Sequence, residues 1–285
     1  MPSTAAFPVK GWSLKSELHS VPDCQSIIKK AVAKRLSMAY RTEWLEETGA
    51  VYQIQFSILK NEVSVMIDTS GVGLHKRGYR PVSNDAPIKE TLAAAMCKLA
   101  QLKDYHTLYD PFCGSGTILI EGTMLANNVM PGFKRAFASE QWGSISQKAW
   151  QDERMRALDG IKRNSDFIAY GSDIDKSAIE LTDKNAHRFG LSKKLNLKVC
   201  DFKDFEAFSD KGTLITNPPY GERMLSIDDA KSIYRSMGEK FIDKYGWSYN
   251  IISPEESFEK LFGRKARKRR KLYNGMIKCT YYSYF

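Results

Sequence analysis

The sequence predicts a doubly wound, mostly parallel seven-stranded α/β sheet that ends in an antiparallel hairpin, with a small α+β region ahead of it. Three observations carry this. Past residue 75, short apolar runs alternate with helical stretches. Four of those runs end in an acid or in Asn-Pro-Pro, where an open α/β sheet places its ligands. Before residue 75 the order is different, one helix and then a hairpin.

Each element has a local reason. After Pro22-Asp23, the residues Ile27, Ile28, Ala31, Val32 and Leu36 recur at helical spacing, so Cys24 to Tyr40 reads as a helix. Val51–Leu59 and Val63–Asp68 are β-rich runs divided by Lys60-Asn61-Glu62, which reads as a hairpin. Gly71, Gly73, Gly78 and Pro81 mark a break, and the boundary between regions 1–74 and 75–285 is set there. Asp85–Leu102 is an Ala-rich helix, Thr107–Tyr109 a strand and Thr117–Asn127 a helix. Residues 128–165 form a polar, aromatic-bearing insertion with a helix expected over 147–163. Strands follow at Phe167–Ser172, Leu195–Val199, Thr213–Thr216 and Tyr249–Ile252, with helices at Lys176–Phe189, Ser232–Lys244 and Glu255–Leu261. Lys271–Tyr273 and Ile277–Tyr284 close the chain as a hairpin turned at Asn274-Gly275.

Composition narrows the function. The chain has 285 residues, 42% of them hydrophobic, and no apolar run long enough to cross a membrane. Its first residues lack the charged start and apolar stretch of a signal peptide, so the cytoplasm is the expected location. Five cysteines without a CxxC pair and four scattered histidines argue against a disulfide framework and against a metal site. The net charge of +10 sits at the ends: residues 1–80 carry 11 Lys/Arg against 7 Asp/Glu, residues 254–285 carry 9 against 3, and the middle carries 23 of each. Two basic ends around a neutral centre suit a polyanionic partner. The run Arg264–Lys271, interrupted only by Ala266, is expected to touch a nucleic-acid backbone, with a solvated strand entry as the alternative.

Four motifs carry chemistry. Asp110-Pro-Phe-Cys-Gly-Ser-Gly-Thr117 joins a strand to a helix, and Gly114 and Gly116 permit a sharp turn close to a ligand. The third glycine of a dinucleotide fingerprint and the Lys of a P-loop are absent. An acid beside this turn suits an ammonium group, such as the methionine end of S-adenosylmethionine. In Gly171-Ser-Asp-Ile-Asp175, Asp173 is placed to accept ribose hydroxyls and Asp175 to cap the next helix. In Val199-Cys-Asp-Phe202, Asp201 can accept from an adenine amino group with Phe202 against the ring; the alternative is a loop aspartate. The most specific motif is Thr216-Asn-Pro-Pro-Tyr-Gly-Glu-Arg223. Two prolines stiffen the backbone, so the Asn217 side-chain oxygen and the Pro218 carbonyl can accept both hydrogens of one NH2 group, and Tyr220 offers a face to a base. Methylation of carbon would require a cysteine near residues 217–223, and none is there. Cys113 reads as a small buried hydrophobe.

DPFCGSGT, GSDID, VCDF and NPPYGER, in this order, resemble class I, Rossmann-like methyltransferases that act on amino nitrogens. HKRGYRP, APIKETLAAAM, the Trp-bearing insertion and RKLYNGMIKCTYYSYF are more closely similar to bacterial THUMP-domain RNA methyltransferases, and the similarity runs along essentially the whole chain. Those enzymes act on guanine N2 of large-subunit ribosomal RNA. Members of that family begin with a ferredoxin-like segment and the first part of THUMP, so the resemblance implies that residues 1–74 hold a partial THUMP region. It also implies that Asp110, Phe112, Gly114, Gly116 and Thr117 hold the methionine part of S-adenosylmethionine, Asp173 the ribose and Asp201 the adenine. By the same resemblance, Asn217, Pro218, Pro219 and Tyr220 hold the target amine and base, Asn217 also borders the cofactor, and Asn84–Pro87 close over it. The expected partner is ribosomal RNA. The rivals are a DNA adenine-N6 methyltransferase, a protein-glutamine methyltransferase, and a non-catalytic RNA-binding assembly factor.

Overall fold

The computed structural model describes residues 1–80, 87–206, 209–220, 227–241 and 245–285. The chain forms two compact units, residues 1–74 with 135–155, and residues 75–134 with 156–285. The middle of the insertion, expected in the region 75–285, therefore groups with the first unit.

The first unit has a three-stranded sheet, β1 (Val9–Leu14), β2 (Ile54–Leu59) and β3 (Glu62–Ile67), in the order β1-β2-β3. The β2–β3 hairpin is the expected one. Strand β1 was not expected; it pairs parallel to β2 after a crossover through α1 (Val21–Tyr40). Its residues alternate between half-buried and exposed, and its Gly11 lies opposite Phe56, so an apolar pattern never develops. Cys24 of α1 packs with Phe56 and Ile58 of β2. The insertion joins this unit through Trp142, which stacks on Tyr52 at 4.4 Å and donates from Nε1 to the Val51 carbonyl at 2.9 Å.

The second unit is the seven-stranded sheet. It comprises α2 (Glu90–Leu99), β4 (Thr107–Asp110), α3 (Thr117–Ala126), β5 (Ala169–Asp173), α5 (Lys176–Arg188), β6 (Leu195–Val199), β7 (Gly212–Thr216), α6 (Ile227–Lys240), β8 (Trp247–Ser253), α7 (Phe258–Phe262), β9 (Lys268–Asn274) and β10 (Ile277–Tyr284). Helix α4 (Gln147–Asp159) lies in the insertion. The strand order is β6-β5-β4-β7-β8-β10-β9; β6 through β8 run parallel, and β10 and β9 antiparallel. Helix α6 begins five residues before the expected Ser232, and the last residues of the expected helix, 242–244, lie outside the described ones. The closing hairpin turns at Gly275-Met276, because Asn274 still pairs with Ile277.

Strand alternation sorts the core into two layers. Leu108, Ile215, Ile252 and Tyr281 face one side and pack with Met96 of α2 and Ile118 of α3. Their neighbours Tyr109, Leu214, Ile251 and Tyr282 face the other and pack with Tyr234 and Met237 of α6 and with Phe258. Helix α3 is buried on nearly every side, which its run Thr-Ile-Leu-Ile-Glu-Gly-Thr-Met requires. Each half of the sheet grows outward from the β4–β7 pair, so the crevice between their C-terminal ends is the switch point where such folds bind ligands.

Candidate active site

Asp110 ends β4 and Thr216 ends β7, and they meet at that switch point. The Thr216 hydroxyl donates to Asp110 Oδ1 at 2.7 Å, and the Phe112 amide donates to the same oxygen at 3.2 Å. Oδ2 has no partner among the described residues. The Asp110 side chain is buried, and its donors among the described residues are neutral. Burial therefore pushes its carboxyl up to about 7, against the pull of the two hydrogen bonds, and the Asp173 carboxylate adds a smaller push.

The glycine turn is stapled from the neighbouring strand and helix. Gly114 N–H donates to Asp173 Oδ2 at 2.9 Å, while the Thr182 hydroxyl and the Asn185 amide of α5 donate to the carbonyls of Gly114 and Ser115 at 2.8 and 3.0 Å. Gly116 adopts φ +77°, and a Cβ there would stand 2.5 Å from Thr182 Cγ2, so both conformation and space demand glycine. Gly114, at φ +53°, faces open space, with no atom within 4 Å of where a Cβ would project. Asp173 accepts a second amide, from Asp175, on Oδ1 at 3.0 Å. One oxygen so braces the glycine turn and the other its own loop, and each keeps one lone pair for a hydroxyl. Asp175 caps α5, accepting from Ser177 N–H at 2.7 Å. Asp201 caps a short 3-10 turn, accepting from Lys203 N–H at 3.0 Å. The adjoining Phe202 is buried and lies 4.9 Å from Phe112, which joins the first and third motifs into one wall. Cys113 is buried beside Thr182, and burial holds its thiol protonated by raising it well above the ordinary range.

Directly after Thr216, the side-chain oxygen of Asn217 is shut off from solvent and has no hydrogen-bond partner among the described residues. A buried amide oxygen without a donor costs roughly 1–3 kcal/mol, so the place suits a ligand that brings N–H groups. Pro218 is buried and Pro219 half-buried beside it. Tyr220 is half-buried, packs against the α3-side core, and accepts at its hydroxyl from Asn274 Nδ2 at 2.7 Å. Its ring is thus set from the closing hairpin. Gly221–Arg223 of the same motif lie outside the described residues, as do Asn84–Ala86 of the expected closing segment.

Spacing along the chain did not disclose another set of residues. Arg80 Nη1 donates to the Thr117 hydroxyl at 2.8 Å and to the Ile88 carbonyl at 3.0 Å, and Nη2 pairs with Glu90 at 3.0 Å. Tyr79 and Arg77 both donate to Glu121 of α3, at 3.0 and 3.3 Å. Arg80 thereby clamps the first turns of α2 and α3, and Arg77 and Tyr79 the middle of α3, and with them the glycine turn. The one local signal was the pair Thr182 and Asn185, polar residues three apart on the buried face of α5.

S-adenosylmethionine fits what is present. An ammonium group would meet an Asp110 oxygen that has no partner among the described residues, ribose hydroxyls would meet Asp173, and the Phe112–Phe202 wall stands beside Asp201.

Comparison with known proteins agrees. The family profile of the RMKL-like methyltransferase domain matches residues 77–283, and that of the THUMP domain matches residues 1–68. The protein named "Putative RNA methyltransferase YpsC" of Bacillus subtilis (strain 168) is 42% identical over all of this chain and 74% of its own length. Ribosomal RNA large subunit methyltransferase K/L of Shewanella sp. (strain W3-18-1) is 34% identical over 84% of this chain. The chain spans about a third of that relative, 35% of its length. The crystal structure of SMU.472 complexed with SAH is 40% identical, with a TM-score of 0.92, over all of this chain and 76% of that one. The crystal structure of a "predicted N6-adenine-specific DNA methylase" from Listeria monocytogenes (strain 4b F2365) is 43% identical, with a TM-score of 0.91, over all of this chain and 74% of that one.

Proposed function

This chain belongs to the RMKL-like methyltransferase family, whose methyl donor is S-adenosylmethionine, and we propose that it methylates an exocyclic amino group of RNA, guanine N2 of 23S ribosomal RNA. The observation that carries the reading is the buried oxygen of Asn217 at the end of β7, without a partner among the described residues. An amino group on an aromatic base is a weak nucleophile, because its lone pair is delocalised into the ring. Asn217 Oδ1 and the Pro218 carbonyl accept its two hydrogens, turn the nitrogen toward sp3 geometry and return the lone pair. When bound, S-adenosylmethionine would supply the electrophilic sulfonium methyl group and leave as the neutral thioether. The methylated nitrogen is cationic and acidic, so its extra proton passes to solvent without a strong base. Tyr220, anchored by Asn274, stacks the base once it is unpaired. Asp110 takes the amino group of the cofactor's methionine end, Asp173 its ribose and Asp201 its adenine.

RNA as substrate is supported by the THUMP match, the two basic ends and the names of YpsC and the K/L enzyme. The name given to the Listeria protein favours a second reading, adenine N6 in DNA, since that amine offers the same pair of hydrogens. Replacing Asn217 tests the chemistry. Asn217→Ala should cut single-turnover methyl transfer roughly 100- to 1000-fold and leave cofactor affinity, measured by calorimetry, nearly unchanged. An equal fall in both would assign Asn217 to the cofactor instead.

A further inference from the structure

The catalytic unit has a second surface with the chemistry of a ligand site, on the edge of the sheet away from the cofactor. A cavity of about 580 Å³ is lined by residues drawn from three stretches, within 127–134, 157–163 and 187–194, and Asp159 is not among them. These segments leave the C-terminal ends of α3, α4 and α5, and the last two lead into β5 and β6. Segments that run from helix to strand lie at the N-terminal edge of a doubly wound sheet, opposite the ligand crevice. With strands of five residues, the two edges stand on the order of 15 Å apart.

The lining is unusual in its charge. It includes five permanent cations, Lys134, Lys162, Arg163, Arg188 and Lys194, and no carboxylate. The stretch 81–253 is neutral overall, yet the sheet divides it: Asp110, Asp173 and Asp201 go to one edge and these cations to the other. Lys134 donates to the Arg188 carbonyl and lies over the Phe189 ring at 5.4 Å. Lys194 donates to the Ser165 carbonyl. Bonds to carbonyls fix these ammonium groups in place without cancelling their charge. Among the described residues, Lys162 is the one of the five paired with an acid, Asp104, at 2.5 Å. The floor between the cations is apolar, built from Val129, Met130, Ile161 and Leu191, with Phe133 41% exposed at the margin.

We propose that this cavity is a docking site for single-stranded RNA, in which an unpaired base lies on the apolar floor while the flanking phosphates meet Arg163, Arg188 and Lys134. The inference rests on the reading of the chain as an RNA methyltransferase. Fixed cations around an aromatic-edged apolar floor match the alternation of phosphate and base along a single strand. An acidic peptide would satisfy the cations and leave the floor bare. The site would hold the substrate strand at a point remote from the reacting nitrogen, so that binding there lowers the substrate concentration needed without touching the chemistry.

The test uses the full chain with single-stranded ribosomal RNA fragments carrying 4-thiouridine, irradiated and mapped by peptide mass. Cross-links are expected in peptides containing Met130–Lys134 or His187–Lys194. The exposed pair Arg163→Gln/Arg188→Gln should weaken RNA binding about tenfold and reduce the slope of log affinity against log salt by about 1.5, roughly 0.7 for each single-strand phosphate lost. Affinity for S-adenosylhomocysteine and the unfolding midpoint should not move. If the pair impairs folding, Arg163→Gln alone should lower the slope by about 0.7. Cross-links confined to other segments, an unchanged slope, or loss of acidic-peptide binding in place of RNA binding would overturn the site. Wild-type chain that methylates RNA while failing these tests would remove the site and leave the enzymatic reading intact. Wild-type chain that neither binds nor methylates RNA would remove both.

Discussion

Two buried carboxylates in the catalytic unit stand in contrast. Glu121, in the middle of α3, faces Arg77 and Tyr79, and its charge is answered by a guanidinium. Asp110, at the end of β4, has only a hydroxyl and an amide on one oxygen and, among the described residues, nothing on the other. Burial raises each from its ordinary value; for Glu121 the arginine opposes it first, and for Asp110 hydrogen bonds do. A buried acid with its own cation is scaffold, complete in the folded chain. A buried acid without one is incomplete until a cation arrives, and here it sits beside an open glycine turn at the switch point of the sheet.

The contrast can be sharpened from its stronger side. Asp110→Asn preserves shape and removes the charge, so cofactor affinity should fall roughly 10- to 100-fold, the worth of a hydrogen bond to a charged group. The pH dependence follows from the raised value. Below about 7 the Asp110 carboxyl holds a proton that it must release to meet an ammonium group, so wild-type affinity should rise with pH and level off above about 7. The slope below that point should approach tenfold per unit, and it should vanish in the variant. The folded chain also holds this proton where the unfolded chain, with its ordinary value of 3.8, has lost it. Unliganded wild type should therefore lose stability relative to Asp110→Asn as pH climbs from about 4 to about 7. Thermal unfolding across that range checks it.

On the scaffold side, Glu121→Ala should cost about 3 kcal/mol of stability, because it strips a partner from a half-buried arginine and a buried tyrosine. Denaturant midpoints measure this, and the folded fraction should bind cofactor as before. A loss of affinity beyond the loss of stability would make Glu121 part of the site and erase the contrast.

An effect confined to RNA binding is expected at the basic run. Strand β9 is the exposed edge of the sheet, Arg264 is folded back on the Phe241 carbonyl, Arg267 on the Phe285 carbonyl, and Arg269 pairs with Glu259 at 2.8 Å. A carbonyl bond leaves the charge of Arg267 intact, so among the described residues only Arg269 of Arg267–Lys271 is cancelled by an acid, and neutralising the five should lower the salt slope of RNA binding by about 3 at most, roughly 0.7 for each of four contacts. An unchanged slope would leave these cations the task of keeping other strands off the edge.

Much of this architecture was legible because it is local. Alternating apolar runs located the strands of the second unit, and a strand that ends in an acid before a glycine turn needs no distant residue to be recognised. The cap at Asp175 was visible in its spacing from Ser177. What was hidden depends on residues far apart in sequence. Thr216 meets Asp110 across 106 positions, and Arg80 meets Thr117 across 37. No periodicity encodes such pairs; they exist only once the sheet has assembled. Strand β1 was hidden for a related reason, since its pairing with β2 substitutes for the apolar alternation that it lacks. The aromatic insertion read as part of the catalytic region because Trp142 finds Tyr52 only in the folded chain.

The most direct test is transfer of a labelled methyl group from S-adenosylmethionine to bulk ribosomal RNA, with DNA and protein in parallel and nucleoside analysis of the products. Label in N2-methylguanosine, lost with Asn217→Ala, is the predicted result. Label in N6-methyladenine of DNA alone, or cofactor binding with no transfer to any nucleic acid, would contradict it.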